Sequence, residues 1–281
     1  IEGNQENQIR NASSTAAYVN YEWVFRGLKL SPGLRYENIT LEFMNYGNAD
    51  NGRTGSNLRE ASNELSILLP GMGLHYDLNN FSSMFAGVHK GFSPPGMPSI
   101  NATSGQAKEE TAWNYELGYN FNNYGFRAQV VGFLSRYDNI LGSDNISGGG
   151  AGTGDMFNAG NASIKGVEVS LEYNLLEKLS SSKSTTMPLN IAYTWTDARF
   201  LETFTNAGGD WGSGVINSGD FIPFITPHLL TVSTGINTYK FDATIIARYV
   251  GETRTRPGQN STSVPESGTK FNDVDALNSF L

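Results

Sequence analysis

AWNYELGYNF, residues 112–121, alternates without a break. Trp113, Tyr115, Leu117, Tyr119 and Phe121 share one parity; Ala112, Asn114, Glu116, Gly118 and Asn120 share the other. Residues two apart share a face only in an extended strand, so the segment predicts a β-strand with one aromatic face and one polar face. The split recurs along the chain. At 165–175, Val167, Val169, Leu171, Tyr173 and Leu175 oppose Gly166, Glu168, Ser170, Glu172 and Asn174. At 189–196, Leu189, Ile191, Tyr193 and Trp195 oppose Asn190, Ala192, Thr194 and Thr196. At 241–249, Phe241, Ala243, Ile245, Ala247 and Tyr249 oppose Asp242, Thr244, Ile246 and Arg248. Near the start, Ala17, Val19, Tyr21, Trp23 and Phe25 oppose Tyr18, Asn20, Glu22 and Val24; Leu28, Leu30, Leu34 and Tyr36 then oppose Lys29, Ser31, Gly33, Arg35 and Glu37.

The polar face repeats Glu, Arg and Asn, which is too polar for the inside of a sandwich. A soluble β-sandwich or propeller would expose that face. Strand length argues the other way. The alternating runs are much longer than the roughly 5–6 residues of a globular strand. About 11 residues at about 3.3 Å each, tilted near 45°, span the roughly 25 Å apolar band of a transmembrane barrel. Aromatics near the expected strand ends (Tyr21, Trp23, Tyr36, Trp113, Phe121, Trp195 and Tyr249) suit the two interfacial girdles. Connections alternate too. Short turns are expected at Arg26–Gly27, Asn79–Asn80, Asn122–Tyr124 and Asn237–Tyr239, with a longer Ser-rich link at 176–186. Long polar loops are expected at 46–63, 92–110, 141–157, 203–225 and 251–269. Short turns on one side and long loops on the other are the outer-membrane arrangement. The fold class is therefore all-β, a transmembrane antiparallel barrel of which about ten strands and the start of an eleventh are present.

Composition agrees. The 281 residues carry a net charge of -8, 12% aromatics, 32 Gly and no Cys. No run approaches the roughly 18 apolar residues of a membrane helix. The acidic balance argues against a nucleic-acid partner, which calls for clustered Lys and Arg. A chain without Cys forms no disulfide or thiolate site and suits an oxidising envelope. No initiating Met or export signal opens the sequence, and it stops at Phe280–Leu281 within a strand-like run. Residues 1–281 are expected to be the carboxyl-terminal portion of a larger barrel, cut at both ends.

Several strings resemble the barrel of TonB-dependent receptors: LSPGLRYENI (30–39), ILLPGMGLHYDL (67–78), FAGVHKGFSPPG (85–96), KEETAWNYELGYNF (108–121), FNAGNASIKGVEVSLEY (157–173), GDFIPFITPHLLTV (219–232) and VDAL (274–277). HKGFSPP, the 112–118 run and YTWTDARF (193–200) are similar to the ferric-dicitrate branch. The resemblance implies a 22-stranded barrel in the bacterial outer membrane, in contact with its lipid. It also implies an amino-terminal plug and a TonB-recruiting segment, both outside this sequence. The function it implies is TonB-driven uptake of a ferric chelate, ferric dicitrate first, with iron carried as cargo and no cofactor. Cobalamin or another nutrient, or passive passage through an open porin, are the alternatives.

Candidate chemistry is sparse. His75, His89 and His228 lack the close spacing of zinc ligands. There is no Gly-x-Ser-x-Gly elbow, and GGGAGTGD at 148–155 lacks the Lys-Ser/Thr ending of a phosphate loop. No catalytic residue or resident metal site is expected, and the chain is not read as an enzyme. Six Asn-x-Ser/Thr sequons, at Asn11, Asn38, Asn101, Asn145, Asn161 and Asn260, reflect an Asn- and Ser-rich composition. Pro32 and Pro70 fall inside strand patterns, where they are expected to mark bulges. The loop cations carry the binding expectation. An anionic chelate needs positive charge in a mouth that excludes bulk water, and a guanidinium pairs carboxylates as a fork. Arg53 and Arg59 in one loop and Arg254 and Arg256 in another are the candidates, with Trp211 and Phe221 for apolar contact.

Overall fold

The computed structural model describes residues 7–99, 106–143, 156–158, 160–176, 185–207, 211 and 213–258. Every regular element among them is a strand: β1 (Gln8–Asn20), β2 (Trp23–Phe25), β3 (Leu28–Asn45), β4 (Arg59–Asn79), β5 (Ser82–Ser93), β6 (Glu110–Asn123), β7 (Phe126–Asp138), β8 (Leu141–Ser143), β9 (Met156–Asn158), β10 (Ala162–Asn174), β11 (Pro188–Phe200), β12 (Phe204–Ala207), β13 (Ser213–Ile216), β14 (His228–Asn237) and β15 (Asp242–Val250). One antiparallel sheet runs β1-β3-β4-β5-β6-β7-β10-β11-β14-β15, with β2 also on β3. Each strand of this wall pairs with the wall strand that follows it along the chain, the loop hairpins being skipped, as in an up-and-down barrel. The small hairpins β8–β9 and β12–β13 stand in the loops. VDAL at 274–277, the eleventh strand expected there, and GGGAGTGD at 148–155 lie outside the described residues.

β1 and β2 form one crossing. Asn20 pairs with Gly33 and Trp23 with Leu30 in a single unbroken register. Between them Tyr21 N–H donates to the Pro32 carbonyl at 3.0 Å, but Pro32 has no N–H to return the bond. The proline thus interrupts the ladder without shifting it, which corrects the expected bulge. Pro70 likewise keeps register against Leu34; it sits where pairing of β4 with β5 stops, at Gly71↔His89. The register shift in this part of the sheet falls at Asp77/Asn79 instead. Counting β1 and β2 together, ten strands cross the wall among the described residues, as the alternation predicts.

Cross-strand partners share a face, so register turns the separate alternations into two continuous surfaces. One carries Val19, Leu34, Leu68, Met72, Leu117, Val130, Trp195 and Ile245, all exposed, with half-buried partners such as Pro70, Val88 and Val167 between them. An apolar surface across ten strands exceeds by far the few hundred Å² a soluble protein tolerates. Its height fits a bilayer: Leu68 and Leu78 stand ten residues apart on β4, about 24 Å along the membrane normal at a tilt near 45°. The other face is a polar network. Gln129 donates to Asn120 at 2.8 Å and Ser135 to Asn114 at 2.7 Å. Its glycines seat neighbours: the Phe85 ring lies on Gly118, the Phe133 ring on Gly166 and the Glu116 side chain on Gly87. Side chains that would stand up from the wall lie flat along it instead.

Candidate functional site at the loop end

Beyond the band the two faces exchange character. On β3 and β4 the formerly apolar parity becomes Asn38, Thr40, Glu42, Glu64 and Ser66. Asn38 there donates to Ser66 at 2.8 Å and to Glu64 at 3.3 Å. The formerly polar parity becomes Leu41, Phe43, Leu65 and Ile67, all buried. The same exchange occurs on β10 and β11, where Ala162, Ala198 and Phe200 are buried on the parity that carries Asn190 and Thr194 lower down. The apolar side above the band is therefore the inner one, and the long loops fold inward onto it.

The β11–β14 connection builds the largest such core. Phe200 N–H donates to Asp220 and Gly219 N–H to Phe200, so the loop folds back along its own strand. Ile216 and Ile222 close over Ala162, Ala198 and Phe200. Trp211 meets Phe200 edge-on at 5.4 Å and Phe204 at 6.1 Å. Burial pushes the nearby Tyr137 phenol up, helped by the Glu110 charge, and keeps it neutral. Trp211 is thus a packing residue of this core. Phe221 lies on the other side: it bridges to Arg199, whose guanidinium rests on its ring at 3.9 Å, on the parity of Trp195.

Residues 251–258 run against the same loop. Gly251 N–H donates to His228, Phe224 N–H to Arg254 and Phe221 N–H to Gly258. Arg254 Nε reaches the Arg256 carbonyl at 3.2 Å. Trp211, Phe221, Arg254 and Arg256 are therefore gathered into one pair of joined loops.

Arg53 and Arg59 are elsewhere. Four strands, β5, β6, β7 and β10, separate their hairpin from β11. Arg53 is occupied in the β3–β4 loop: its Nε donates to Asn7 at 2.9 Å and its guanidinium lies over Tyr46. The pivot of that loop is Asp50, which the sequence did not single out. Its carboxylate accepts from Thr54 N–H (2.8 Å), Thr54 Oγ1 (3.0 Å) and Gly55 N–H (2.8 Å). These bonds, the Thr54 amide first, hold it below the ordinary carboxylate range. Arg59 opens β4 opposite Asn45, exposed, on the parity of Leu65 and Ile67 that faces inward. Arg59 is thus placed on the inward parity of β4, and Arg254 and Arg256 lie on the segment joined to the β11–β14 loop. Among the described residues no three His, Asp or Glu side chains converge as metal ligands. The arrangement thus sets two arginines on a segment hydrogen-bonded to a loop that carries an apolar core.

Sequence reasoning missed Phe200, Phe204 and the Asp197–Arg199 pair. The available signal was parity: in YTWTDARF the bulky residue moves from Trp195 to Phe200, onto the opposite face.

The model of the family described as TonB dependent receptor-like, beta-barrel, matches residues 2–277. Solved structures share the fold. The ferric citrate transporter FecA in its unliganded form is 18% identical with a TM-score of 0.64, over 88% of this chain and 33% of that one. The FrpB iron transporter from Neisseria meningitidis is 19% identical with a TM-score of 0.61, over 87% and 34%. The ferric yersiniabactin uptake receptor FyuA from Yersinia pestis is 15% identical with a TM-score of 0.57, over 90% and 43%. The chain thus spans less than half the length of each. No curated protein matches it in sequence.

Proposed function

The chain belongs to the TonB-dependent receptor β-barrel family, a family of bacterial outer-membrane receptors and transporters rather than enzymes, and from that premise we propose that it is part of a receptor for a ferric chelate, ferric dicitrate first. In this reading the sheet is an arc of a 22-stranded wall whose apolar face meets outer-membrane lipid. A plug from another part of the protein fills the lumen, and TonB acts through it. Iron passes as cargo in its chelate.

The observation that carries the cargo is the paired-loop site. Arg254 and Arg256 ride on a segment hydrogen-bonded to the loop that holds the Phe200–Trp211 core. A low-dielectric floor beside fixed guanidinium groups strengthens their attraction for a citrate carboxylate. Arg59 adds charge from the β3–β4 hairpin, separated from β11 by four strands of the wall. Arg53, Trp211 and Phe221 serve by fixing the loops. The likeness to the ferric citrate, iron and ferric yersiniabactin proteins supports the same class of cargo.

Ferric dicitrate binding to the intact receptor, read by tryptophan quenching beside cobalamin and a catechol siderophore, tests this. Saturable quenching by ferric dicitrate alone is expected. Arg254→Ala with Arg256→Ala should weaken it by about 10-fold or more, from the roughly 1.5–3 kcal/mol of a charged hydrogen bond. Binding of cobalamin in its place, or affinity unchanged in the double variant, overturns the assignment.

A further inference from the structure

On the apolar face, just past the band, stands a row of cations that the uptake reading does not use. On β5 the residue beyond Val88 is Lys90; on β7 the residue beyond Leu134 is Arg136; on β10 the residue beyond Val167 is Lys165. On β6, between the first two, stands Trp113, paired with both Lys90 and Arg136 and stacked on Tyr115. Arg136 and Lys165 are diagonal neighbours, because Arg136 pairs with Ser163 and Leu134 with Lys165. That places their Cα atoms roughly 7–8 Å apart; Lys90 and Arg136 stand two strand spacings apart, about 10 Å.

Two carboxylates share this face nearby. Asp197 is shared between Lys165 at 3.5 Å and Arg199 at 2.8 Å. Asp138 lies one same-face step beyond Arg136, farther from the band. Lys90 and Arg136 make no ion pair among the described residues, and the Lys165 side chain is half exposed. In a chain of net charge -8, cations fall first beyond the apolar residues on three strands in four. By contrast, the same face of β3 and β4 carries Glu42, Glu60 and Glu64 above the band.

We propose that Lys90, Arg136 and Lys165, with Trp113 between them, form a docking site for the phosphate groups of an outer-leaflet lipid. Long basic side chains beside an indole at this depth meet the headgroup layer, where phosphate charge lies and where water screens less than in bulk. The apolar strands below them offer the acyl chains a continuous surface. The site rests on the outer-membrane placement given under the proposed function, and on the loop end facing outward. It is independent of the cargo.

The test uses the intact receptor in neutral detergent, titrated with lipid A bearing both phosphates and with the same lipid A dephosphorylated. The wild type should bind the phosphorylated form at least 10-fold more tightly. The triple variant Lys90→Gln, Arg136→Gln, Lys165→Gln should lose that difference, and Lys90→Arg with Lys165→Arg should keep it. Heat-modifiable electrophoretic mobility establishes that each variant is folded. Equal binding of the two lipids by the wild type, or a preference that survives in the triple variant, overturns the site. Competition by millimolar inorganic phosphate as effective as the lipid itself overturns the lipid as occupant. Density-gradient fractionation separates the premises: a receptor outside the outer membrane refutes the placement, whereas one inside it without the phosphate preference refutes the docking site alone.

Discussion

Asp50 shows how one carboxylate organises a loop whose sequence looks unstructured. It is buried, and three donors from Thr54 and Gly55 converge on it. Its folded-state pKa is depressed, so it stabilises the loop at any pH above the unfolded value, and that stabilisation is lost as pH falls through the folded value. Limited proteolysis of the intact receptor should therefore find the 46–58 loop resistant at neutral and mildly acidic pH, opening only below the ordinary carboxylate range. Asp50→Asn should be cut there already at neutral pH; equal resistance would show that Asn7 and Arg53 suffice. The glycines make a second residue-scale case. A side chain at Gly118 collides with the Phe85 ring, whereas a Cβ at Gly132 meets nothing within 4 Å. Gly118→Leu should cost about 1–3 kcal/mol of stability through overpacking, with Gly132→Ala close to neutral, both read from urea-unfolding midpoints. Equal midpoints would mean the ring swings clear of the wall at no cost.

The β3–β4 hairpin carries both what the sequence disclosed and what it concealed. Alternation over 28–37 locates the strand and its lipid face because lipid demands a uniform apolar parity. The same rule hides the upper half. From Asn38 and from Ser66 outward the parity reverses, so an alternation search keyed to one face ends there, and residues 59–63 look like loop although β4 begins at Arg59. Trp195 looks like a strand end for the same reason, yet β11 continues to Phe200. The candidate site was less legible than the wall. Which loops adjoin depends on bonds such as Phe224 to Arg254, between segments with no local pattern. The reversal itself is testable, since the chain has no native Cys. Spin labels at Leu68→Cys and Met72→Cys in the reconstituted receptor should collide mainly with oxygen, which partitions into lipid. Labels at Ser66→Cys and Glu64→Cys should collide mainly with a water-soluble nickel chelate. A boundary displaced by one turn of the alternation or more would misplace the band assigned here.

At the scale of the molecule, the sheet has two open ends. β1 pairs only with β3 and β15 only with β14 among the described residues, so each presents a row of backbone N–H and C=O groups to whatever lies beside it. In a bilayer such groups have no water to bond, and each unsatisfied one costs several kcal/mol. The exposed runs Ser13–Val19 on β1 and Asp242–Arg248 on β15 carry no covering loop among the described residues, and neither run contains a proline to blunt the edge. Closure must therefore come from further strands, as the 33–43% share of the solved relatives also suggests. It follows that residues 1–281 refolded alone into detergent should join edge to edge into oligomers or aggregates, without the heat-modifiable mobility of a closed barrel. The intact receptor should run as a compact monomer. A benzophenone maleimide attached at Ala17→Cys, on β1, discriminates further: on irradiation it should insert between copies in the isolated chain, and only within one copy in the intact receptor. A heat-modifiable monomer from residues 1–281 would mean that β1 and β15 can close on each other. The ten crossings would then be a small complete barrel, with a lumen too narrow for the plug that the proposed uptake mechanism requires.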